Sequence, residues 1–295
     1  MSLVRLAICC LSVLLFAPPV SGQSYLQQFP LRHQAKYFDF RCKRNPKQIE
    51  AIARFADAFV VLLNRDFFKA EFDYPIRVLV LEDRTSFQDF LRVYLSVRRP
   101  PNFGIFLPEE KMFVTFEDSG LGTFTHEIMH PLVERNLPDR PLWALEGIPT
   151  FFEKFYGYWT EGKPVVHWGF QNPWRIEMLG TNLTRLDLKN LLTTRDSQGQ
   201  YNESDLRMVS MFLWSQGKFP RFLQLIQRRE KNGFPSYFEA AMEMPVERLI
   251  PLWRDYLNQV AVHRTEIMRL PPSTILPDER TFRAFIRAYG IMLPK

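Results

Sequence analysis

The stretch His126-Glu127-Ile128-Met129-His130 decides the fold class of this chain. Two histidines stand four residues apart, and on an α-helix positions i and i+4 share one face, so both imidazoles can reach one metal ion. Glu127 would project beside that ion, where a carboxylate can accept a proton from a metal-activated water. The pattern therefore predicts a metal-binding helix. Because an isolated histidine pair is more often a packing or surface feature, the prediction needs a third ligand.

A candidate third ligand is Glu146, in the segment WALEG at residues 143–147. Catalytic zinc usually takes three protein ligands, and two histidines with one glutamate are a common set. A lone carboxylate at the end of an apolar run is costly to bury without a counter-charge, which a zinc ion would supply. We therefore expect Glu146 to complete the metal site.

The two motifs together resemble those of the gluzincin metallopeptidases. They are more closely similar to exported peptidase-MA-like proteins, in which H-E-x-x-H is followed by W-[LA]-x-E-G-x-[AP]-x-[FY]-[FY]-E. The resemblance implies that His126, His130 and Glu146 bind Zn²⁺ and that Glu127 is the general base of peptide hydrolysis. It also implies an α+β fold, with a zincin-like catalytic domain whose small mixed sheet lies beside the motif helix, followed by a mainly helical C-terminal subdomain.

Three further residues are candidates for supporting roles. Glu153 lies seven residues after Glu146 on nearly the same helix face, and is either a carboxylate that orients a ligand histidine or a solvated surface acid. A peptidase also needs a donor for the oxyanion that develops during hydrolysis. Tyr201 and His167 are the candidates for that donor, although neither stands in a strong motif.

Two features depart from the family pattern. Related sequences often carry a tyrosine two positions before a serine on a later helix, and the best match here, Ser210, places Met208 at that position. Pro131 and Pro149 interrupt the helical hydrogen bonding of the two motif helices, and Pro131 disfavours α geometry at His130. We expect a kink or a helix end at each proline, with the turn between the two histidines intact.

The N-terminus is typical of a secretory signal peptide over residues 1–22, with Arg5 before an apolar run and the small residues VSG at its end. Cleavage near Gly22 would export the protein to the periplasm or the extracellular space. Anchoring through the uncleaved segment is the less favoured alternative. Cleavage would leave Cys42 as the only cysteine, which excludes an internal disulfide. Since no second long apolar run follows, we expect no membrane span in the mature chain.

Hydrophobic periodicity predicts the organisation of the remaining chain. The predicted parts are an N-terminal α/β part over 23–117, the metal-site helices over 118–157, a helical subdomain over 158–270 and a C-terminal tail helix in 271–295. The predicted helices are 46–72, 85–97, 204–216, 218–229, 234–242, 245–262 and 280–291, and the predicted strands are 76–81, 102–107 and 111–116. Residues 158–171 read as an aromatic loop. The strand Met112 to Phe116 is expected at the sheet edge, where a peptide can dock by β-augmentation.

Composition narrows the class of partner. The net charge of +6 is spread along the chain, and no nucleic-acid recognition motif accompanies it, so nucleic-acid binding is not indicated. A peptide or protein substrate is the expected partner, and the oligomeric state stays open. Three functions remain: an exported zinc metallopeptidase, a catalytically weak pseudopeptidase serving as an interaction module, and a zinc hydrolase of non-peptide amides such as those of cell walls.

Overall fold

The computed structural model describes residues 25–138, 140–193, 201–230 and 236–293, so the predicted signal peptide lies outside the described residues. Within those ranges the chain is α+β, with two small mixed sheets and twelve α-helices. The helices are α1 Pro46–Asp66, α2 Arg84–Tyr94, α3 Gly120–Asn136, α4 Leu142–Phe151, α5 Pro173–Met178, α6 Leu188–Thr193, α7 Glu203–Ser215, α8 Phe219–Gln227, α9 Ser236–Met242, α10 Val246–Val262, α11 Arg264–Ile267 and α12 Glu279–Ala288. None of these helices has both the length and the apolarity that a bilayer crossing requires.

The first sheet has five strands, three of which the sequence predicted. The strands are β1 Leu31–Gln34, β2 Phe38–Cys42, β3 Ile76–Leu81, β4 Gly104–Leu107 and β5 Met112–Phe116, in the order β1-β2-β3-β5-β4. The three central strands are parallel, and β1 and β4 pair antiparallel at the two edges. β1 and β2 were not predicted, although Phe38, Phe40 and Cys42 alternate with outward polar residues and all three are buried.

The predicted docking strand is not at the sheet edge, and that prediction was wrong. β5 pairs with β3 on one side and with β4 on the other. The chain reverses through a tight turn in which Lys111 has a φ of 50°, and this short connection lays β4 antiparallel against the outside of β5. The edge beside α3 is therefore β4.

We expected a kink or a helix end at Pro131 and Pro149, and both motif helices continue through their prolines, so neither helix ends there. Pro131 cannot donate to the carbonyl of Glu127, but its neighbours Ile128 and Leu132 are fully buried or nearly so. Packing of the helix therefore outweighs the loss of one backbone hydrogen bond. The turn between the two histidines is intact, as expected.

Residues 158–171 are not a loop, because most of them belong to a second sheet. β6 Tyr156–Thr160 and β7 Lys163–His167 form a hairpin, and β8 Thr274–Leu276 pairs parallel with β6. The hairpin turns at Glu161 and Gly162, whose φ values of 49° and 74° are the pair of positive angles that a two-residue turn requires. This sheet joins the C-terminal segment to the middle of the chain.

The helices after the second sheet agree with the sequence pattern. Those predicted over 204–216, 218–229, 245–262 and 280–291 are confirmed as α7, α8, α10 and α12, and α9 confirms the described part of 234–242. α7 packs closely against α4 at Gly147. A Cβ at this position would lie only 2.7 Å from the carbonyl oxygen of Leu206, so the absence of a side chain permits the approach. One buried apolar cluster runs from the first sheet through the motif helices to α10.

Candidate metal centre

A close approach of two backbones sets the geometry of the site. A Cβ on Gly122, in the first turn of α3, would lie only 2.5 Å from the carbonyl oxygen of Glu153. Three residues further on, the hydroxyl of Thr125 donates a 2.8 Å hydrogen bond to the carbonyl of Phe152. The beginning of α3 is therefore docked on the residues that follow α4, and this places the Glu153 side chain beside His126.

Three side chains converge with the spacing of a tetrahedral metal site. The Nε2 atoms of His126 and His130 are 3.2 Å apart, and the Oε2 atom of Glu146 lies 3.5 Å from the first and 3.9 Å from the second. Ligand atoms placed about 2.1 Å from a tetrahedral ion are about 3.4 Å from one another. Because their ligand atoms lie close together, these three residues can hold a metal ion.

Glu146 is less buried than its apolar neighbours suggested. Its side chain keeps 35% of its surface exposed, so solvent as well as a cation can compensate its charge. Burial would raise the pKa of Glu146, and the hydrogen bond and charges of the two histidines outweigh that effect, so the pKa is lowered. The carboxylate is ionised at neutral pH, which is the state that ligates a metal.

The other nitrogen of His126 faces a buried carboxylate. Its Nδ1 atom lies 2.9 Å from Oε1 of Glu153, a contact that meets the distance of a hydrogen bond without its alignment. A proton on Nδ1 leaves Nε2, the atom that faces His130 and Glu146, free as a metal ligand. Histidine ligands in metal sites generally present their second nitrogen to a carboxylate or a carbonyl in this way.

Glu153 is itself fixed by two residues from α5 and the loop before it. Arg175 donates to both carboxylate oxygens, through Nε at 2.9 Å and through Nη2, and its Nη1 donates to Glu203. Asn172 adds a 2.9 Å hydrogen bond from its amide to Oε2 of Glu153. The charged groups of Glu153 and Arg175 are both buried, so each compensates the other.

Burial and neighbouring charges push the pKa values of this cluster in opposite directions. Burial would raise the pKa of Glu153, but Arg175 outweighs it and holds that pKa well below its usual range. Burial lowers the pKa of His126, and the carboxylates of Glu146 and Glu153 more than offset it, raising the pKa to about 10. Burial together with the His126 charge lowers the pKa of His130 to about 4. A metal ion would therefore displace a proton from His126 and none from His130.

Glu127 lies between the motif helix and the edge strand. Burial raises its pKa to about 7, although the charge of His126 and a hydrogen bond from the Phe106 backbone N–H lower it. A Cβ on Gly104 would lie 3.1 Å from Cγ of Glu127 and 2.8 Å from Cγ2 of Thr123. Glycine at this position allows β4 to approach the helix, and a carboxylate that titrates near neutrality is suited to accepting and returning a proton.

A cavity of about 580 Å³ opens beside these residues. Its lining includes the buried residues His126, Glu127 and Glu153 and the more exposed residues Phe103 and Trp174. The C-terminal segment forms another wall through Leu270, Pro272 and Ser273, and the Ser273 hydroxyl donates a 2.6 Å hydrogen bond to the carbonyl of Glu153. The volume lies within the range of small-ligand pockets.

The two predicted oxyanion donors do not line this cavity. The ring of His167 stacks on Phe282 at 5.3 Å with nearly parallel planes, in the cluster around the second sheet. Tyr201 packs at the edge of the main core, where burial raises its pKa. Met208 and Ser210 are fully buried on α7. Among the cavity-lining side chains that the structure describes, the N–H donors apart from His126 are Asn102, Lys154, Asn172, Trp174 and Arg175.

Sequence reasoning missed Asn172 and Arg175. They stand 19 and 22 residues from Glu153, and the segment NPWR around them carries no local motif for either role. The chain matches no protein-family model, and no curated protein is significantly similar to it. The assignment of this site therefore depends on its geometry.

Proposed function

We propose that the protein is a zinc metallopeptidase in which His126, His130 and Glu146 hold the ion and Glu127 is the general base. One observation carries this proposal: the three ligand atoms lie 3.2, 3.5 and 3.9 Å apart, and His126 lines a cavity together with Glu127, whose pKa is raised. Two imidazoles and one carboxylate with an open position are typical of catalytic zinc.

The residues of the chain divide the chemistry among them. Zinc held by the three ligands would supply a Lewis acid that acidifies water and polarises a carbonyl oxygen. The Glu127 carboxylate takes the proton of the attacking water and returns it to the leaving nitrogen. Glu153 holds the proton of His126 on Nδ1, and so keeps Nε2 directed at the ion.

The edge strand is the candidate docking site for the substrate backbone. The backbone N–H of Phe106 faces the carboxylate of Glu127 and lowers its pKa. Backbone groups two residues apart on a strand point the same way, so those of Gly104 face the same side of β4. A peptide that pairs with β4 would pass Glu127. We therefore propose β4, in place of β5, as the strand on which the substrate backbone docks.

A peptide digest tests the proposal. The purified chain with one equivalent of zinc is incubated with a peptide library, beside Glu127→Gln and the matched control Glu134→Gln on the exposed part of the same helix. We expect cleavage by the parent chain and by Glu134→Gln, and a loss of at least about 1000-fold in Glu127→Gln with zinc retained. Equal cleavage by all three chains would contradict the assignment of the base.

A catalytically weak, metal-binding pseudopeptidase is the second candidate. Two observations favour it: neither predicted oxyanion donor lines the cavity, and Met208 occupies the position at which related helices carry a tyrosine. Zinc binding without cleavage of any library member would support this function. Export rests on the sequence of residues 1–22 alone, and we include it in the proposal on that ground.

A further inference from the structure

Two aromatic side chains, Phe103 and Trp174, line the cavity, and we call them the aromatic shelf. Phe103 precedes β4, and Trp174 lies in the first turn of α5. Their ring centroids are 5.6 Å apart and their planes are inclined by 77°, an edge-to-face contact. Trp174 remains 40% exposed. The shelf therefore offers apolar surface that a ligand entering the cavity can bury.

Two cations hold the shelf in place. The guanidinium carbon of Arg175 lies 4.3 Å from the centroid of the Trp174 ring, and that of Arg84 lies 4.9 Å from the centroid of Phe103. Arg175 is in turn fixed by the buried carboxylate of Glu153. The shelf is therefore connected to Glu153, the residue beside His126, through the ion pair with Arg175. A surface that is already ordered loses little entropy when it binds a ligand.

The shelf is continuous with the reacting centre. Phe103 is bonded to Gly104, the residue whose missing side chain lets β4 approach Glu127. Side chains of a peptide that pairs with a strand stand near those of the strand. We propose that the shelf binds a large apolar side chain, aromatic or branched aliphatic, of the peptide that is hydrolysed at the metal centre. This inference rests on the proposed function and names its substrate class.

A sugar ring is the competing occupant, because sugars also stack on aromatic rings. A sugar needs hydrogen-bond partners for its hydroxyls, and the two polar side chains nearest to Trp174 along the chain, Asn172 and Arg175, donate to carboxylates of the protein. Arg175 donates to Glu153 and Glu203, and Asn172 donates to Glu153. Arg175 also covers part of the Trp174 ring. These contacts favour an apolar side chain over a sugar.

Peptide binding to the full chain carrying Glu127→Gln, with one equivalent of zinc, tests the inference. The probes are fluorescein-labelled hexaglycines with one Phe, Ala or Asp at each position in turn, and fluorescence anisotropy gives their affinities. At the best position we expect Phe to bind about tenfold more tightly than Ala. Adding Trp174→Ala should reduce that ratio to below about threefold. The matched control, Met178→Ala, removes a 52% exposed side chain one turn further along α5 and should leave the ratio unchanged.

An absent preference for Phe, or one that survives in Trp174→Ala, would overturn the inference. Tighter, Trp174-dependent binding of an amino-sugar oligosaccharide would overturn it as well. The test separates this inference from the proposed function. Hydrolysis by the parent chain with no Phe preference would reject the shelf and keep the peptidase. A Trp174-dependent Phe preference without hydrolysis would keep the shelf and reject the peptidase.

Discussion

His126 Nδ1 lies 2.9 Å from the Glu153 carboxylate, while the Nε2 atom of the same ring faces the other two candidate ligands. This arrangement places one nitrogen beside the other candidate ligands and the second beside a carboxylate, as is general for histidines that bind metals. Glu153 is held on its far side by Arg175, so the orientation of the ring depends on residues well outside the motif.

Replacing Glu153 by glutamine should weaken zinc binding by about 10- to 100-fold. The substitution removes the carboxylate that orients His126, while the three ligands remain. Competition with a zinc-sensitive dye measures the affinity. Glu177→Gln, an exposed site on α5, is the control and should bind zinc as the parent chain does. An unchanged affinity in Glu153→Gln would show that the contact does not support the ligand.

Zinc binding at pH 8 should release about one proton from the protein, beyond any that a coordinated water loses. His126, with a pKa of about 10, carries a proton that the metal must displace, whereas His130, with a pKa of about 4, carries none. Zinc affinity should therefore fall as the pH falls from 9 to 8. Calorimetry in buffers of different ionisation enthalpy counts the protons.

Glu153→Gln provides the comparison for this count. Glu153 is one of the carboxylates that raise the pKa of His126, so its removal should lower that pKa and reduce the proton release at pH 8. Equal proton release by both chains would mean that the proton does not come from His126.

Gly122→Ala should destabilise the fold by about 1 to 3 kcal/mol, because the new Cβ would lie 2.5 Å from a backbone carbonyl that cannot move alone. Alanine favours a helix over glycine by up to about 1 kcal/mol, so a net loss would isolate the clash. Urea unfolding gives the free energy of unfolding. Glu134→Ala, exposed on the same helix, should stay within about 0.5 kcal/mol of the parent chain. Gain of stability in Gly122→Ala would contradict the close approach.

Gly104→Ala should impair catalysis more than stability. The new Cβ would meet side-chain atoms of Thr123, Phe113 and Glu127 at 2.8 to 3.1 Å, and side chains can shift where a backbone cannot. Displacement of Glu127 by a few tenths of an ångström should lower kcat/KM about tenfold or more. Peptide kinetics beside urea unfolding separates the two effects. Unimpaired kcat/KM would place the general base elsewhere.

The ligand triad could be predicted from sequence because its geometry is mostly local. His126 and His130 are one helical turn apart, and Glu146 stands in a recognisable apolar segment. The strand at the sheet edge could not be predicted, because the order of β4 and β5 in the sheet depends on pairing with β3, which the sequence leaves open. Arg175 reaches Glu153 across 22 residues with no motif at either end.

Other wrong predictions concern segments in which one local feature of the sequence was given too much weight. The aromatic segment after residue 157 was predicted as a loop, although it contains a two-residue hairpin turn at Glu161 and Gly162. Pro131 suggested a helix end, but the burial of its neighbours maintains the helix. His167 was a candidate donor by chemical type alone, and β7 carries it to the second sheet instead of to the cavity.

The most direct test of the central claim is the zinc content of the purified chain beside His130→Ala, Glu146→Ala and the control His263→Ala, which removes an exposed histidine outside the cavity. We expect about one zinc per chain, retained in the control and lost in both ligand variants. Absence of zinc under metal-replete conditions, or its retention in Glu146→Ala and His130→Ala, would contradict a centre built from these three residues.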